Sequence, residues 1–135
     1  MTPDQKRRIR ESFAVVREMS GPTAMLFYGR LFQLEPAARK LFHNDLAAQG
    51  QKLMDMLAAI VESLDDLAPM TVRLEQLGKQ HAEYGVRPEY YNTLTTALLW
   101  ALAQAVGPDF DAPTREAWRG AIGAINAQMK KGAGY

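Results

Sequence analysis

The chain of 135 residues contains no cysteine and only two histidines, His43 and His81. Without cysteine there is no disulfide framework, no thiolate zinc or iron–sulfur site and no cysteine nucleophile. Two histidines exclude any site built from three imidazoles of one chain. Charge is also scarce in net terms: 16 Lys and Arg face 15 Asp and Glu, leaving +1. A nucleic-acid binder would need a basic face, which this balance argues against. The longest strongly apolar run, Ala97 to Ala103, is far too short to span a bilayer. The stretch Met1 to Arg8 lacks the apolar centre of a secretory signal, so no membrane insertion and a cytoplasmic location are expected. Glycine-rich phosphate loops, a nucleophile elbow around Ser12, Ser20 or Ser63, and the Glu-x-x-His spacing of dimetal carboxylate sites are missing too.

What remains is helical periodicity in one domain over residues 1–135. The length and the 47% hydrophobic fraction suffice for a sizeable core. Thr2-Pro3-Asp4-Gln5 has the spacing of a capping box, and Ile9, Phe13 and Val16 then share a face. Gly21-Pro22 is expected to break this helix and start a second, with Met25, Tyr28 and Phe32 on its core stripe. Glu35-Pro36 interrupts again, and a short helix follows to about Phe42. His43-Asn44-Asp45 reads as a turn with Asp45 as a cap.

From Ala47 to about Leu64, the residues Gln49, Leu53, Leu57, Ile60 and Leu64 recur at helical spacing. Pro69 can open a helix on which Met70, Leu74, Leu77, His81 and Tyr84 share a face, with Gly85 as its stop. Pro88 opens another, lined by Tyr91, Leu94, Leu98 and Leu102. Asp111 and Pro113 start the last, carrying Trp118, Ile122, Ile125 and Met129. The glycine-rich end, Lys130 to Tyr135, is expected to fray. No segment alternates with period two for long. The fold class is therefore all-α, with about seven helices and short connections, as in an orthogonal globin-like arrangement.

Two stripes carry a polar residue on an apolar face: Gln49 on one and His81 on the other. A buried polar group costs free energy unless paired. A histidine so placed is either a paired core residue or a ligand, and the pattern alone leaves both open. The run Lys6 to Arg10 reads as the wet face of the first helix.

Several motifs resemble bacterial globins. Leu26-Phe27-Tyr28-Gly29-Arg30-Leu31-Phe32, Glu35-Pro36 and Lys40-Leu41-Phe42 resemble their second and third helices and the following corner. Leu77-Gly78-Lys79-Gln80-His81 followed by Tyr84-Gly85-Val86 resembles their proximal helix and its exit. Pro88-Glu89-Tyr90-Tyr91 and Ala117-Trp118 resemble the starts of the last two helices. The order holds from about Gln5 to Met129. The pattern is most similar to the globin domain of flavohaemoglobins and single-domain relatives of the Hell's Gate type.

The resemblance implies a three-over-three globin fold around haem b, with His81 as the iron ligand. Phe42 would pack on the haem face. Tyr28 and Gln49 would be distal hydrogen-bond donors, and Leu53 the apolar residue facing the gas. Leu77, Tyr84, Val86 and Leu94 would complete the pocket. Tyr91 would lie beside His81. In that family a last-helix glutamate works with this tyrosine, and the corresponding position here is Ala133. The implied function is reversible O2 binding with high affinity, other ligands being nitric oxide or sulfide. Nitric oxide dioxygenase activity with a separate reductase is the implied alternative, and a haem-based sensor or interaction module a third.

Overall fold

A computed structural model describes residues 1–42 and 45–135. The expected turn at His43 and Asn44 lies outside the described residues. Among those residues, six α-helices carry the fold. They are α1 (Pro3–Glu18), α2 (Ser20–Leu34), α3 (Leu46–Glu62), α4 (Thr71–Glu83), α5 (Tyr90–Val106) and α6 (Ala112–Ala133). The short helix expected after Glu35 is a 3-10 segment, Pro36–Leu41; two further 3-10 turns, Ala68–Met70 and Gly107–Asp109, lead into α4 and follow α5.

The local signals act where the sequence puts them. The Thr2 hydroxyl accepts from the Gln5 amide at 3.1 Å, and the Gln5 side chain accepts from the Thr2 amide at 2.9 Å, closing a capping box. Asp45 caps α3 and Asp111 caps α6. Gly85, at φ +102°, turns the chain after α4 in a conformation that strongly favours glycine.

Two boundaries differ from expectation. The break between α1 and α2 falls at Met19, so Pro22 sits inside the first turn of α2. Its missing amide proton would have no helical acceptor there, so it costs nothing. The helix thereby buries Thr23, Ala24, Phe27, Tyr28 and Leu31, a broad stripe against α3 and α5. Met25, expected on the core stripe, turns outward and is 49% exposed. At the other end α6 continues to Ala133, and the Tyr135 hydroxyl donates to the Val86 carbonyl at 2.6 Å.

The basic run on α1 is wet but paired. Lys6 and Arg10 reach Asp65 after α3 at 3.0 and 3.1 Å, and Arg8 reaches Asp111 before α6 at 3.4 Å. Exposed pairs of this kind contribute about 0–1 kcal/mol each. They orient α1 more than they hold it. Burial of Ile9, Phe13 and Val16 does the holding.

One polar contact lies within the core. The Trp118 indole donates to the Ser12 hydroxyl at 2.8 Å, while Ser12 donates to the Arg8 carbonyl at 2.7 Å. Ser12→Ala would leave a buried indole N–H unpaired. It should cost about 1–3 kcal/mol, read as a lowered chemical-denaturation midpoint with an unchanged slope.

The core is in two parts. The larger joins α1, α2, α3 through Met54, Leu57 and Val61, Leu64 after it, α5 and the first half of α6, around Leu31, Leu99, Leu102 and Trp118. The smaller joins Met70, Leu74, Val86, Tyr91, Ile125 and Met129 with Ile60 near the end of α3. Among the described residues, α3 packs extensively on α1 and α2 and α4 on α6, but α3 and α4 share no extended packing. They are joined near the end of α3 and the start of α4, through Ile60, Met70 and Leu74. The opposite ends carry Gln49 and His81.

Candidate functional site

His81 is placed by the last full turn of α4. Its ring Nδ1 lies 2.8 Å from the Leu77 carbonyl oxygen. A carbonyl can only accept, so Nδ1 carries the proton, and in the neutral ring Nε2 presents a bare lone pair. Burial pushes the His81 pKa below its ordinary value of 6.5, the Leu77 carbonyl opposing. The neutral form is therefore favoured, which is the form that ligates a metal. The His81 carbonyl in turn accepts from the Val86 amide at 2.9 Å, fixing the turn that follows.

Behind α4, the backbone of α6 is in direct contact. A Cβ built on Gly78 would land on the Met129 carbonyl, and one on Gly132 would land on the Glu75 carbonyl. Only glycine at both positions permits this crossing, and the crossing sets the position of the helix that carries His81.

On the other side, Tyr28 is 3% exposed and belongs to an aromatic group. Its ring centroid is 5.1 Å from Phe27, 6.2 Å from Phe32 and 5.2 Å from Phe42. Burial pushes its hydroxyl pKa up to about 12. The hydroxyl thus stays protonated at neutral pH and remains a donor. Gln49 is half-buried in the first turn of α3.

The remaining candidates divide between the two core parts. Phe42 and Leu53 pack on the larger, and Leu77, Val86 and Tyr91 belong to or pack on the smaller. Leu94 touches both. Tyr84 is the exception: it is 70% exposed. The expected stripe assumed a helix through residue 84, but α4 ends at Glu83 and Tyr84 is its cap residue. The Tyr84 amide still bonds the Gln80 carbonyl at 3.1 Å, so the helical stagger holds to this residue; it is exposed because α4 ends there and nothing packs over its side chain. Tyr91 is 1% exposed, and its hydroxyl has no hydrogen-bond partner among the described residues. Burial raises its pKa, helped by Tyr135. The Lys130 ammonium lies 5.4 Å from the Tyr91 ring centroid.

These features fit a large flat apolar cofactor. A divided core, half-buried Phe42, Leu53, Leu77 and Leu94 along the division, and one imidazole with a free Nε2 form a suitable donor set. Gly78, Gly132 and the Ser12–Trp118 bond carried no role in the sequence reading. An interior helix glycine, which costs about 1 kcal/mol against alanine, was the available signal for the first two.

The globin family pattern matches residues 26–129. Neuroglobin-1 of Oncorhynchus mykiss is 30% identical over 146 aligned positions, which cover 98% of this chain and 92% of that protein. A flavohemoprotein of Vibrio cholerae is 30% identical over 108 positions, covering 77% of this chain but 27% of its own length. An engineered carbene transferase, built on a nitric oxide dioxygenase candidate of Rhodothermus marinus, superposes with a TM-score of 0.89. It has 22% identity, with 99% of this chain and 94% of that one covered. A bacterial globin of Campylobacter jejuni gives a TM-score of 0.86 at 20% identity, covering 98% and 96%.

An all-helical architecture with an apolar division and one available imidazole among the described residues is the globin class of fold and site. The chain belongs to the globin family, and the family implies a haem cofactor. Among the described residues no helix is long and apolar enough to cross a membrane.

Proposed function

We propose that the chain holds haem b through His81 and binds O2 reversibly with high affinity, nitric oxide being a further ligand. The observation that carries the reading is the 2.8 Å contact of His81 Nδ1 with the Leu77 carbonyl, which leaves Nε2 unprotonated. Haem would supply an iron able to bind a small gas.

The chain's own residues do the rest. His81 Nε2 would hold the iron, and the carbonyl on Nδ1 fixes the ring and raises its basicity. Phe42, Leu53, Leu77, Val86 and Leu94 would wall the cofactor and keep water out. Tyr28 would donate a hydrogen bond to the bound gas, with Gln49 as second donor. Tyr91 would lie on the His81 side, where its unpaired hydroxyl is available. Position 133 is alanine, so no carboxylate from that position strengthens His81.

Tyr28→Phe tests the distal assignment. Loss of a charge-assisted bond contributing about 1.5–3 kcal/mol should raise the O2 dissociation rate roughly tenfold or more. An unchanged rate in stopped-flow displacement removes Tyr28 from the distal role.

The likeness to the flavohemoprotein favours a second reading, oxidation of nitric oxide to nitrate by O2, with one electron per turnover supplied by a separate reductase. Rapid mixing of the oxygenated protein with nitric oxide and a reductase system separates the two. Sustained turnover assigns an enzyme, and a single stoichiometric burst assigns a binder.

A further inference from the structure

α4 and α6 end in the same way. After α4, the Gly85 amide donates to the Ala82 carbonyl at 3.1 Å and the Val86 amide to the His81 carbonyl at 2.9 Å. After α6, the Gly134 amide donates to the Lys131 carbonyl at 3.1 Å and the Tyr135 amide to the Lys130 carbonyl at 2.9 Å. Both glycines have positive φ, +102° and +81°. Each end is therefore a Schellman motif, in which the residue after the glycine closes the last turn. In α4 the carbonyl so closed belongs to His81 itself.

The two motifs are joined to each other. The residues that follow the two glycines are Val86 and Tyr135, and the Tyr135 hydroxyl donates to the Val86 carbonyl at 2.6 Å. Val86 is 7% exposed, whereas Tyr135 is 49% exposed. The tyrosine thus contributes little burial, and its hydroxyl makes the connection. His81 lies between two points held from α6 and its cap: the backbone crossing at Gly78 before it and Val86 after it. Helix ends fray because their last turns have the fewest partners. His81 sits in such a turn, and its ring Nδ1 bonds the Leu77 carbonyl one turn back. An open last turn would leave that ring free to swing.

We infer that Tyr135 is a positioning residue for His81, holding closed the turn that carries the imidazole. The latch depends only on these bonds, while its effect on an iron ligand rests on the haem reading above.

Tyr135→Phe removes the hydroxyl and keeps the ring. Gly134→Ala keeps the hydroxyl but disfavours the left-handed turn that delivers it. A Cβ on Gly134 meets nothing within 4 Å, so packing there is undisturbed. The two variants should act alike. In the haem-loaded, carbon monoxide-bound protein, hydrogen exchange at the Val86 amide, followed by NMR, should speed about fivefold or more. Exchange of the His81 Nδ1 proton should speed with it, and that of the Leu99 amide should change far less. In the ferrous protein without gas, the iron–histidine stretching band should broaden and move, and haem loss to a competing acceptor should quicken severalfold. Melting temperature should fall by only a few degrees. A residue that merely tied down the end of α6 would lower it equally and leave the stretching band in place.

Unchanged exchange at the Val86 amide in Tyr135→Phe overturns the latch. Faster exchange there, with the His81 ring proton and the stretching band both unchanged, overturns the positioning role. Failure of the haem reading is separate, because it appears as a missing Soret band in the unaltered protein. Exchange of the Val86 amide and the His81 ring proton in the haem-free chain then decides the inference.

Discussion

His81→Gly is expected to abolish the Soret band of the haem-reconstituted protein while the helical circular dichroism persists. The side chain makes one hydrogen bond, to Leu77, and is only half-buried. The backbone bond from the Val86 amide to the residue-81 carbonyl survives the change. The structural cost is then chiefly that of glycine inside a helix, about 1 kcal/mol, small beside a stability of roughly 5–15 kcal/mol. The iron ligand, by contrast, is lost outright. Free imidazole should restore part of the band by occupying the vacated space. A full Soret band in the variant without imidazole would show that another residue holds the iron, and the assignment of His81 would fall.

Gly78→Ala should be, with Gly132→Ala, among the most damaging of the glycine-to-alanine changes. At residue 78 the added carbon would meet the Met129 carbonyl, which is helix backbone and cannot swing aside. α4 must lift from α6, and overpacking of this kind costs about 3 kcal/mol or more, equivalent to a fall in melting temperature of roughly 10 °C. Haem affinity should fall with it, because α4 carries His81. Gly123→Ala is the matched control: its Cβ meets nothing within 4 Å, and alanine there should stabilise by about 0.5–1 kcal/mol. Equal melting temperatures for the two variants would mean that the Gly78 crossing is not as close as described.

The asymmetry between these two glycines explains what the sequence could and could not convey. Capping at Thr2, Asp45 and Asp111 is local: donor and acceptor lie within three residues, so the spacing alone specifies the contact. The buried faces of α1 and α6 were legible because their apolar residues recur at helical spacing, although each helix packs on more than one partner. α2 was harder, because its buried stripe widened to take in Ala24 and Phe27 while Met25 turned out. Gly78 and Gly123 look alike in sequence, because what distinguishes them is the backbone of another helix. His81 stood out through scarcity and an apolar face, but its proton position needed the Leu77 carbonyl. Tyr84 was misread because a residue on an apolar stripe is buried only where another element covers it, and nothing covers this end of α4.

The divided core separates two demands that usually compete. The larger part, around Trp118, is assembled from α1, α2, α3, α5 and the first half of α6, and contains no residue of α4. The smaller part owes its position to α6 and to a glycine crossing. Substitutions along α4 can therefore retune ligand chemistry while the larger unit continues to specify the chain's topology. A library confined to Leu77 and its solvent-side neighbours on α4 should yield mostly folded proteins with varied affinities. The same breadth of change around Leu99 and Leu102 should yield mostly insoluble ones. The molecule is in this sense a stable frame with an adjustable jaw.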